Sequence, residues 1–304
     1  MDLRLSHLRT LAAVVRHQSF SKAAAERRLT QPAVSQHVRA LETSLGHRLI
    51  ERVGKRAYPT PAAEILLDHA GRMFEEMDAA RQAVERLAGA VAGRVRLGTG
   101  ATASIYLLPP ILGDLRRRFP ALEISVATGD SPDMAHALIG NDLDLAVVTL
   151  PVPRERLRVA GRYADPLTGI AAPGHPFTGR GPLTPKALAA EPFIHLERGS
   201  ASRAVIDHWF RRAHRTPRVV MELGSAEAIK RLVGAGLGVA ILPGIAVARE
   251  MKEGTLAVLP LKPPLSRQLG IVHRKDKVLT PALQIMVAAL VAGLKPPPNP
   301  TSAT

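Results

Sequence analysis

Cysteine is absent from the 304 residues of this chain. Its absence excludes disulfides, thiol nucleophiles and zinc sites built on thiolates, and it fits a reducing compartment. The eleven histidines are scattered without the spacing of metal ligands. We therefore expect no metal site and no cofactor.

Long apolar runs are also scarce. The longest uncharged run, residues 232–248, contains four glycines and a proline, which is typical of a helix end, a turn and a buried strand rather than a membrane helix. Charged residues interrupt the first residues of the chain, so these do not resemble a signal peptide. We expect a soluble cytoplasmic protein without membrane contact.

Acidic residues are few relative to basic ones. The chain has 41 lysines and arginines against 26 aspartates and glutamates, a formal net charge of +15, which favours an anionic partner. Residues 1–60 alone carry eleven basic and four acidic side chains. A basic surface can also be merely solvated, so the partner must be inferred from the motif in this segment.

Residues 19–46 have the pattern of two short helices joined by a tight corner. Ser21 is a suitable N-cap for the first helix, Thr30 can cap the second, and Pro32 suits a first turn. On the second helix, apolar spacing predicts one buried side formed by Val34, His37, Val38, Leu41 and Leu45. The polar residues of the other side are suited to read base edges in the major groove of DNA: Gln31, Ser35, Gln36 and Arg39.

The segment that follows predicts a β-ribbon and then a long helix. Gly54 and the basic residues Arg52, Lys55 and Arg56 are typical of a wing that contacts phosphates or the minor groove. Residues 61–88 carry a heptad seam: Leu66, Ala70, Met73, Met77, Ala80, Val84 and Leu87. Such a helix could pack on its own domain, but its position between two globular parts favours a dimerising linker, with a hinge at residues 89–93.

From Arg94 onward, short apolar runs alternate with helical stretches, which predicts an α/β body with parallel strands. The expected strands are Val95–Leu97, Leu122–Val126, Leu145–Val148, Phe193–His195, Val219–Glu222 and Val239–Leu242. The expected helices include residues 105–119, 202–212 and 225–232. Residues 296–304 form a proline-rich tail that we expect to be disordered.

One loop of this body admits two interpretations. Gly98–Ala103 matches the dinucleotide fingerprint G-x-G-x-x-A between a strand and a helix, so an NAD-dependent oxidoreductase is the alternative function. No catalytic constellation accompanies it, however, and a DNA-binding head precedes it. The same loop can seat a smaller anion, because a helix N-terminus offers free N–H groups and the positive end of its dipole.

Two further loops, at residues 197–203 and 224–227, have the same character. Arg203 could grip an oxyanion with two parallel hydrogen bonds, or it could pair with a nearby carboxylate. The candidate effector-binding residues are Gly100, Thr102, Ser104, Thr149, Gly199, Ser200, Ser202, Arg203 and Ser225.

The head motif identifies a family. Gln31–Ser35, followed by Leu41-Glu42 and Leu45-Gly46, resembles the N-terminal signature of LysR-type transcriptional regulators. The chain departs from that pattern at Arg27, Ile50 and Ala63, which affects local packing only. The resemblance implies that Gln31, Pro32, Ser35 and Gln36 lie at the groove, with Ser21, Lys22 and Thr30 nearer the phosphates.

The resemblance also implies an architecture. It consists of a winged helix-turn-helix at residues 1–60, a linker helix and hinge at 61–93, and an effector-binding domain at 94–295. That domain is expected to resemble periplasmic binding proteins, with one subdomain at about 94–163 plus 268–294 and the other at about 164–267. Residues 97–98, 106–109, 199–203 and 222–230 are similar to a branch that controls sulfur assimilation and carbon fixation.

The expected function is therefore transcriptional regulation rather than catalysis. The expected partners are double-stranded promoter DNA, a small anionic effector, a second chain through the linker helix, a homotetramer and RNA polymerase. A solute-binding protein would need an export signal, and an architectural DNA protein would have no use for an α/β body.

Overall fold

The computed structural model describes residues 3–54, 56–85 and 93–294. The chain divides into two compact units, Met1–Arg81 and Gln82–Thr304. Lys55, most of the predicted hinge and the predicted disordered tail lie outside the described residues.

The first unit is a small helical head with a β-ribbon. Its elements are α1 (Leu5–His17), α2 (Phe20–Arg27), α3 (Gln31–Leu45), β1 (Ile50–Val53), β2 (Arg56–Pro59) and α4 (Pro61–Glu85). Strands β1 and β2 pair in antiparallel fashion, and Gly54 at their tip has a φ of +62°, a conformation that favours glycine.

The helix starts in the head follow from local hydrogen bonds. Thr30 caps α3 by accepting a hydrogen bond from the backbone N–H of Ala33, and a proline occupies the first turn. The N-cap of α2 is Ser19 rather than the predicted Ser21. Ser19 is extended and accepts from the N–H of Lys22, whereas Ser21 already lies within the helix.

The apolar side predicted for α3 packs in the core of the head. Val34, Val38 and Leu41 are buried against Leu8 and Leu11 of α1. The carboxylate of Glu42 accepts hydrogen bonds from the N–H groups at residues 49 and 50, at 2.8 and 3.3 Å. The end of α3 is thereby joined to the start of the β-ribbon.

Helix α4 changes character along its length. Ala63 and Ala70 are buried in the core of the head. Farther along, Met73, Met77 and Val84 expose about half or more of their surface, at 48%, 49% and 67%. These three residues of the predicted heptad seam are therefore uncovered in one chain, and its last residue, Leu87, lies outside the described residues.

The second unit is an α/β body. Its strands are β3 (Gly93–Thr99), β4 (Leu122–Thr128), β5 (Leu145–Thr149), β6 (Leu157–Ala171), β7 (Pro192–Leu196), β8 (Arg218–Leu223), β9 (Ala240–Pro243), β10 (Ala257–Leu259) and β11 (Leu265–Arg274). Its helices are α5 (Ala101–Tyr106), α6 (Leu108–Arg118), α7 (Ser131–Ile139), α8 (Pro185–Ala189), α9 (Ala201–Arg212), α10 (Ala226–Gly234), α11 (Gly244–Glu253) and α12 (Pro281–Gly293).

The main sheet has the order β10-β6-β11-β5-β3-β4, with β9 also paired to β6. The prediction of parallel strands is right for β3 with β4 and β5, and for β7 with β8. It is wrong for β9, which pairs antiparallel with β6, and the long strands β6 and β11 also pair antiparallel to each other. These two long strands were not predicted, because charged and apolar residues are mixed along them.

The body contains two large cores, which define two subdomains. The first subdomain packs around Leu97, Leu108 and Met286, and the second around Phe193 and Phe210. Strands β6 and β11 run through both. On each of them, residues four apart belong to different cores: Tyr163 and Leu167 on β6, Leu269 and Leu265 on β11. The chain thus crosses between the subdomains along these two strands.

Candidate functional site

The predicted base-reading residues share the solvent side of α3. Gln31, Gln36 and Arg39 are exposed and Ser35 is partly exposed. The amide of Gln31 donates a hydrogen bond to the Ser35 hydroxyl at 3.2 Å. Because the opposite side of α3 is buried in the core, this polar side is presented outward at a fixed orientation.

A second contact sets the rotation of α3 against α1. Nδ1 of His37 lies 3.0 Å from the hydroxyl oxygen of Thr10, which itself donates to the carbonyl of Ser6 at 2.9 Å. The ring of His37 also stacks on His7, with 4.2 Å between ring centres. His37 therefore acts within the head rather than at the groove, in agreement with its predicted side of the helix.

The predicted phosphate contacts surround that polar side. Ser21, Lys22, Thr30, Pro32, Arg52 and Arg56 are all exposed, whereas Lys55 lies outside the described residues. The guanidinium carbon of Arg52 sits 4.5 Å from the ring centre of Phe20. That cation–π contact orients the side chain without burying its charge.

A cavity of about 160 Å³ opens in the body between the two subdomains. Six of the nine predicted effector-binding residues line it: Gly100, Thr102, Thr149, Ser200, Ser202 and Ser225. It is smaller than the roughly 300–1,000 Å³ of pockets for drug-sized ligands, which favours a small metabolite over a dinucleotide.

The cavity lies where several strands end and helices begin. Helices α7, α9 and α10 start at Ser131, Ala201 and Ala226, which all line it. Ser200, the N-cap of α9, makes no side-chain capping hydrogen bond. The first N–H groups of α9 therefore border the cavity, and the Ser200 hydroxyl does not accept a hydrogen bond from them. N–H groups at the start of a helix can bind an anion.

Three of the predicted effector-binding residues do not line the cavity. The Ser104 hydroxyl donates to the carbonyl of Ala101 at 2.8 Å, within its own helix. Gly199 occupies a turn with a φ of +93°. Arg203 does not line the cavity, because its guanidinium donates to the Leu196 carbonyl at 2.6 Å and to carboxylates of Asp207 and Glu222. Of its two predicted roles, Arg203 therefore has the second, pairing with nearby carboxylates. It is a positioning residue.

Arg203 belongs to a network with His195, Asp207 and Glu222. Burial lowers the pKa of His195 below its usual value, which favours the neutral ring. Its Nε2 lies 3.0 Å from Asp207. The hydrogen bond from Arg203 lowers the pKa of Glu222. The network joins the end of β7, the start of α9 and the end of β8, next to the cavity residues Leu196, Ser202 and Gly224.

Sequence reasoning missed the cation that does line the cavity, Arg267. It is 6% exposed and lies opposite Asp165 on the crossing strands. Its Nη2 is 2.7 Å from an Asp165 carboxylate oxygen, and its Nη1 donates to the Ser202 hydroxyl at 2.5 Å. Burial raises the pKa of Asp165, an effect that Arg267 opposes.

Other missed cavity residues include Asp130, Tyr106 and Glu197. Gly224 makes room for one of them, since a Cβ at that position would lie 2.5 Å from a carboxylate oxygen of Glu197. Asp130 and Glu197 could have been found from their positions just after β4 and β7, and Tyr106 from its position just before α6.

The first glycine of the dinucleotide fingerprint has a packing explanation, whereas a Cβ at the second, Gly100, would meet nothing within 4 Å. A Cβ at Gly98 would lie 2.4 Å from Leu143 and 2.9 Å from Met134, so close packing requires glycine there. Within residues 3–54, 56–85 and 93–294, no cluster of three or more potential ligands could hold a metal. None of the helices in this part of the chain is long and apolar enough to cross a membrane.

Comparisons with known proteins identify both units. A family profile described as "Bacterial regulatory helix-turn-helix protein, lysR family" matches residues 5–64, and one described as "LysR substrate binding domain" matches residues 88–295. A RuBisCO operon transcriptional regulator from Acidithiobacillus ferrooxidans is 32% identical over 290 residues, 95% of this chain and 93% of that protein. These relatives are regulators, not enzymes.

Solved structures support the fold. The chain superposes on a full-length OxyR variant from Pseudomonas aeruginosa with a TM-score of 0.76, at 23% identity and 95% coverage of both chains. The regulatory domain of CcmR from Synechocystis PCC6803 in complex with 2-PG is 30% identical with a TM-score of 0.62. That match covers 66% of this chain and 97% of the regulatory domain.

Replacing Arg203 by alanine should destabilise the body, because three acceptors would lose their buried donor. We expect the melting temperature to fall by about 2–8 °C. The control is Arg198→Ala, whose side chain is 85% exposed and 3.7 Å from Glu222. Differential scanning calorimetry of both variants tests this, and equal melting temperatures would remove the positioning role.

Proposed function

Since the chain belongs to the LysR family of transcriptional regulators, we propose that a small anionic effector in the cavity controls how it binds promoter DNA. The observation that carries this proposal is the guanidinium of Arg267 in a cavity lined with hydroxyls. The head supplies DNA recognition and the linker helix supplies dimerisation.

In the head, affinity and specificity come from different residues. Lys22, Arg52, Lys55 and Arg56 contact phosphates and give salt-dependent affinity. The amides of Gln31 and Gln36 suit adenine and the guanidinium of Arg39 suits guanine, so these residues choose the sequence.

Gln31→Ala should weaken binding to the specific site about tenfold or more, because one base contact of this kind contributes roughly 1–3 kcal/mol. Binding to random DNA should not change. Lys22→Ala is the contrasting variant and should weaken both. Fluorescence anisotropy at matched salt measures all four affinities, and an equal loss on both DNAs in Gln31→Ala would argue against base reading.

Two heads pair through the exposed seam of α4. Met73, Met77 and Val84 present apolar surface that a second copy of the helix would cover. A two-fold pair of heads then matches two half-sites in DNA. Four chains on one promoter, meeting RNA polymerase there, complete the proposed assembly.

The double variant Met73→Glu, Met77→Glu should dissociate the α4 pair, since it places like charges in an apolar seam. We expect the dimer dissociation constant of this contact to rise at least about tenfold. Asp78→Ser, an exposed change on the same helix, is the control. The measurement is sedimentation velocity of the full chain at several concentrations. An unchanged distribution of sedimentation coefficients in the double variant would exclude the seam as an interface.

The effector chemistry follows from the charges and hydroxyls of the cavity. The guanidinium of Arg267 and the start of α9 attract a negative group. Thr102, Ser200 and Ser225 add hydroxyls that can donate to its oxygens. The cavity size and the 2-PG held by the CcmR regulatory domain support a ligand of the size of 2-phosphoglycolate.

Control of DNA then requires that the ligand bind one arrangement of the subdomains more tightly than another. Residues from both subdomains line the cavity, so an occupant contacts both at once. The occupied arrangement would change the DNA bend imposed by the assembled heads.

Arg267→Lys should weaken anion binding about tenfold, because lysine keeps the charge beside Asp165 but lacks the planar fork. Arg198→Lys is the control. The measurement is calorimetric titration of the full chain with 2-phosphoglycolate, phosphate, sulfate and shikimate. The site assignment fails if Arg267→Lys binds as the unchanged protein does, and the effector proposal fails if none of these anions binds.

A further inference from the structure

Lys230 is a buried cation that reaches across the two subdomains. It lies on α10 in the second subdomain and is 5% exposed. Its Nζ is 2.7 Å from Glu227, 2.6 Å from Glu250 and 2.8 Å from the Ala246 carbonyl. It also lies 3.1 Å from the hydroxyl oxygen of Tyr106 on α5, in the first subdomain.

These contacts decide the role of the Tyr106 oxygen. An ammonium group has three protons and no acceptor, so the phenol oxygen can only accept from Lys230. The Nζ lies 5.3 Å from the ring centre of Tyr106, which places it beside the oxygen rather than over the ring face. The contact with Lys230 therefore does not use the hydroxyl proton of Tyr106.

Tyr106 lines the cavity, and among the described residues its hydroxyl has no recorded acceptor. Arg267, Thr102 and Ser200 lie in the same lining. A ligand oxygen held by those groups would be the acceptor that the Tyr106 hydroxyl lacks.

We propose that Tyr106 donates a hydrogen bond to an oxyanion in the cavity, while Lys230 of the opposite subdomain holds the phenol oxygen in place. This inference rests on the proposed function and names a contact residue for it. Because Lys230 polarises the hydroxyl, the bond to an anionic ligand is strengthened. Ligand binding and the spacing of the subdomains thus depend on the same side chain.

The test uses Tyr106→Phe in the full chain, which removes the hydroxyl and keeps the ring. The chain has three tyrosines, and Tyr163 supplies a matched control. Its hydroxyl is buried without a hydrogen-bond partner in the described residues, and it does not line the cavity. Calorimetric titration with 2-phosphoglycolate and with inorganic phosphate should show about tenfold weaker binding in Tyr106→Phe and no change in Tyr163→Phe.

A spectroscopic readout separates contact from a structural effect. With 3-fluorotyrosine in place of tyrosine, the ¹⁹F spectrum has three signals, which the two phenylalanine variants and Tyr58→Phe assign. Added 2-phosphoglycolate should shift the Tyr106 signal with the midpoint found by calorimetry. Unchanged affinity in Tyr106→Phe, or an equal loss in both variants, overturns this inference and leaves the proposed function standing. If neither 2-phosphoglycolate nor phosphate binds the unchanged protein, this inference fails. The proposed function fails with it only if sulfate and shikimate also do not bind.

Discussion

The ion pair between Arg267 and Asp165 is the interaction on which the body depends. The two residues lie opposite each other on β6 and β11, at the point where those strands leave one core and enter the other. Both are almost fully buried, and an unpaired charge at that depth would be strongly destabilising. The pair therefore holds together the only two long strands that cross between the subdomains in the described part of the chain, and it places a cation at the edge of the cavity.

The rest of the cavity is arranged around that cation. Ser202 accepts a hydrogen bond from Arg267 and lies in the first turn of α9, so the helix start is tied to the crossing strands. From the other side, Arg203 anchors the same helix to the ends of β7 and β8. Arg267 thus faces the cavity, and Arg203 holds together the elements that surround it. The contact between Tyr106 and Lys230 links the first subdomain to the second.

Much of the fold could be predicted because its signals are local. The buried side of α3, the cap at Thr30 and six short apolar strands each follow from residues close in sequence. The long strands β6 and β11 could not be predicted, since they carry charged residues whose burial depends on a partner in the other strand. The expected helix over residues 105–119 is divided at Leu107 into α5 and α6, and prolines follow that break.

The candidate site shows the same limit. Hydroxyl residues that follow strands, such as Thr102, Ser200 and Ser225, could be predicted to line a cavity. The sequence could not show which arginine faces the cavity. Asp207 lies only four positions after Arg203, so that pairing is local. Asp165 lies 102 positions before Arg267, so that pairing depends on the fold. Each arginine pairs with a carboxylate, and the fold determines which of the two also lines the cavity.

The most direct test of the account is the end-to-end distance of DNA bound by the full chain, followed by energy transfer between dyes. The DNA is a fragment that the protein itself selects from a random pool, and the titrant is 2-phosphoglycolate. We predict a distance change whose midpoint equals the dissociation constant measured by calorimetry on the protein–DNA complex. This midpoint should move to higher concentration in Arg267→Lys. A distance that stays constant while the ligand is bound would contradict control of DNA through the cavity.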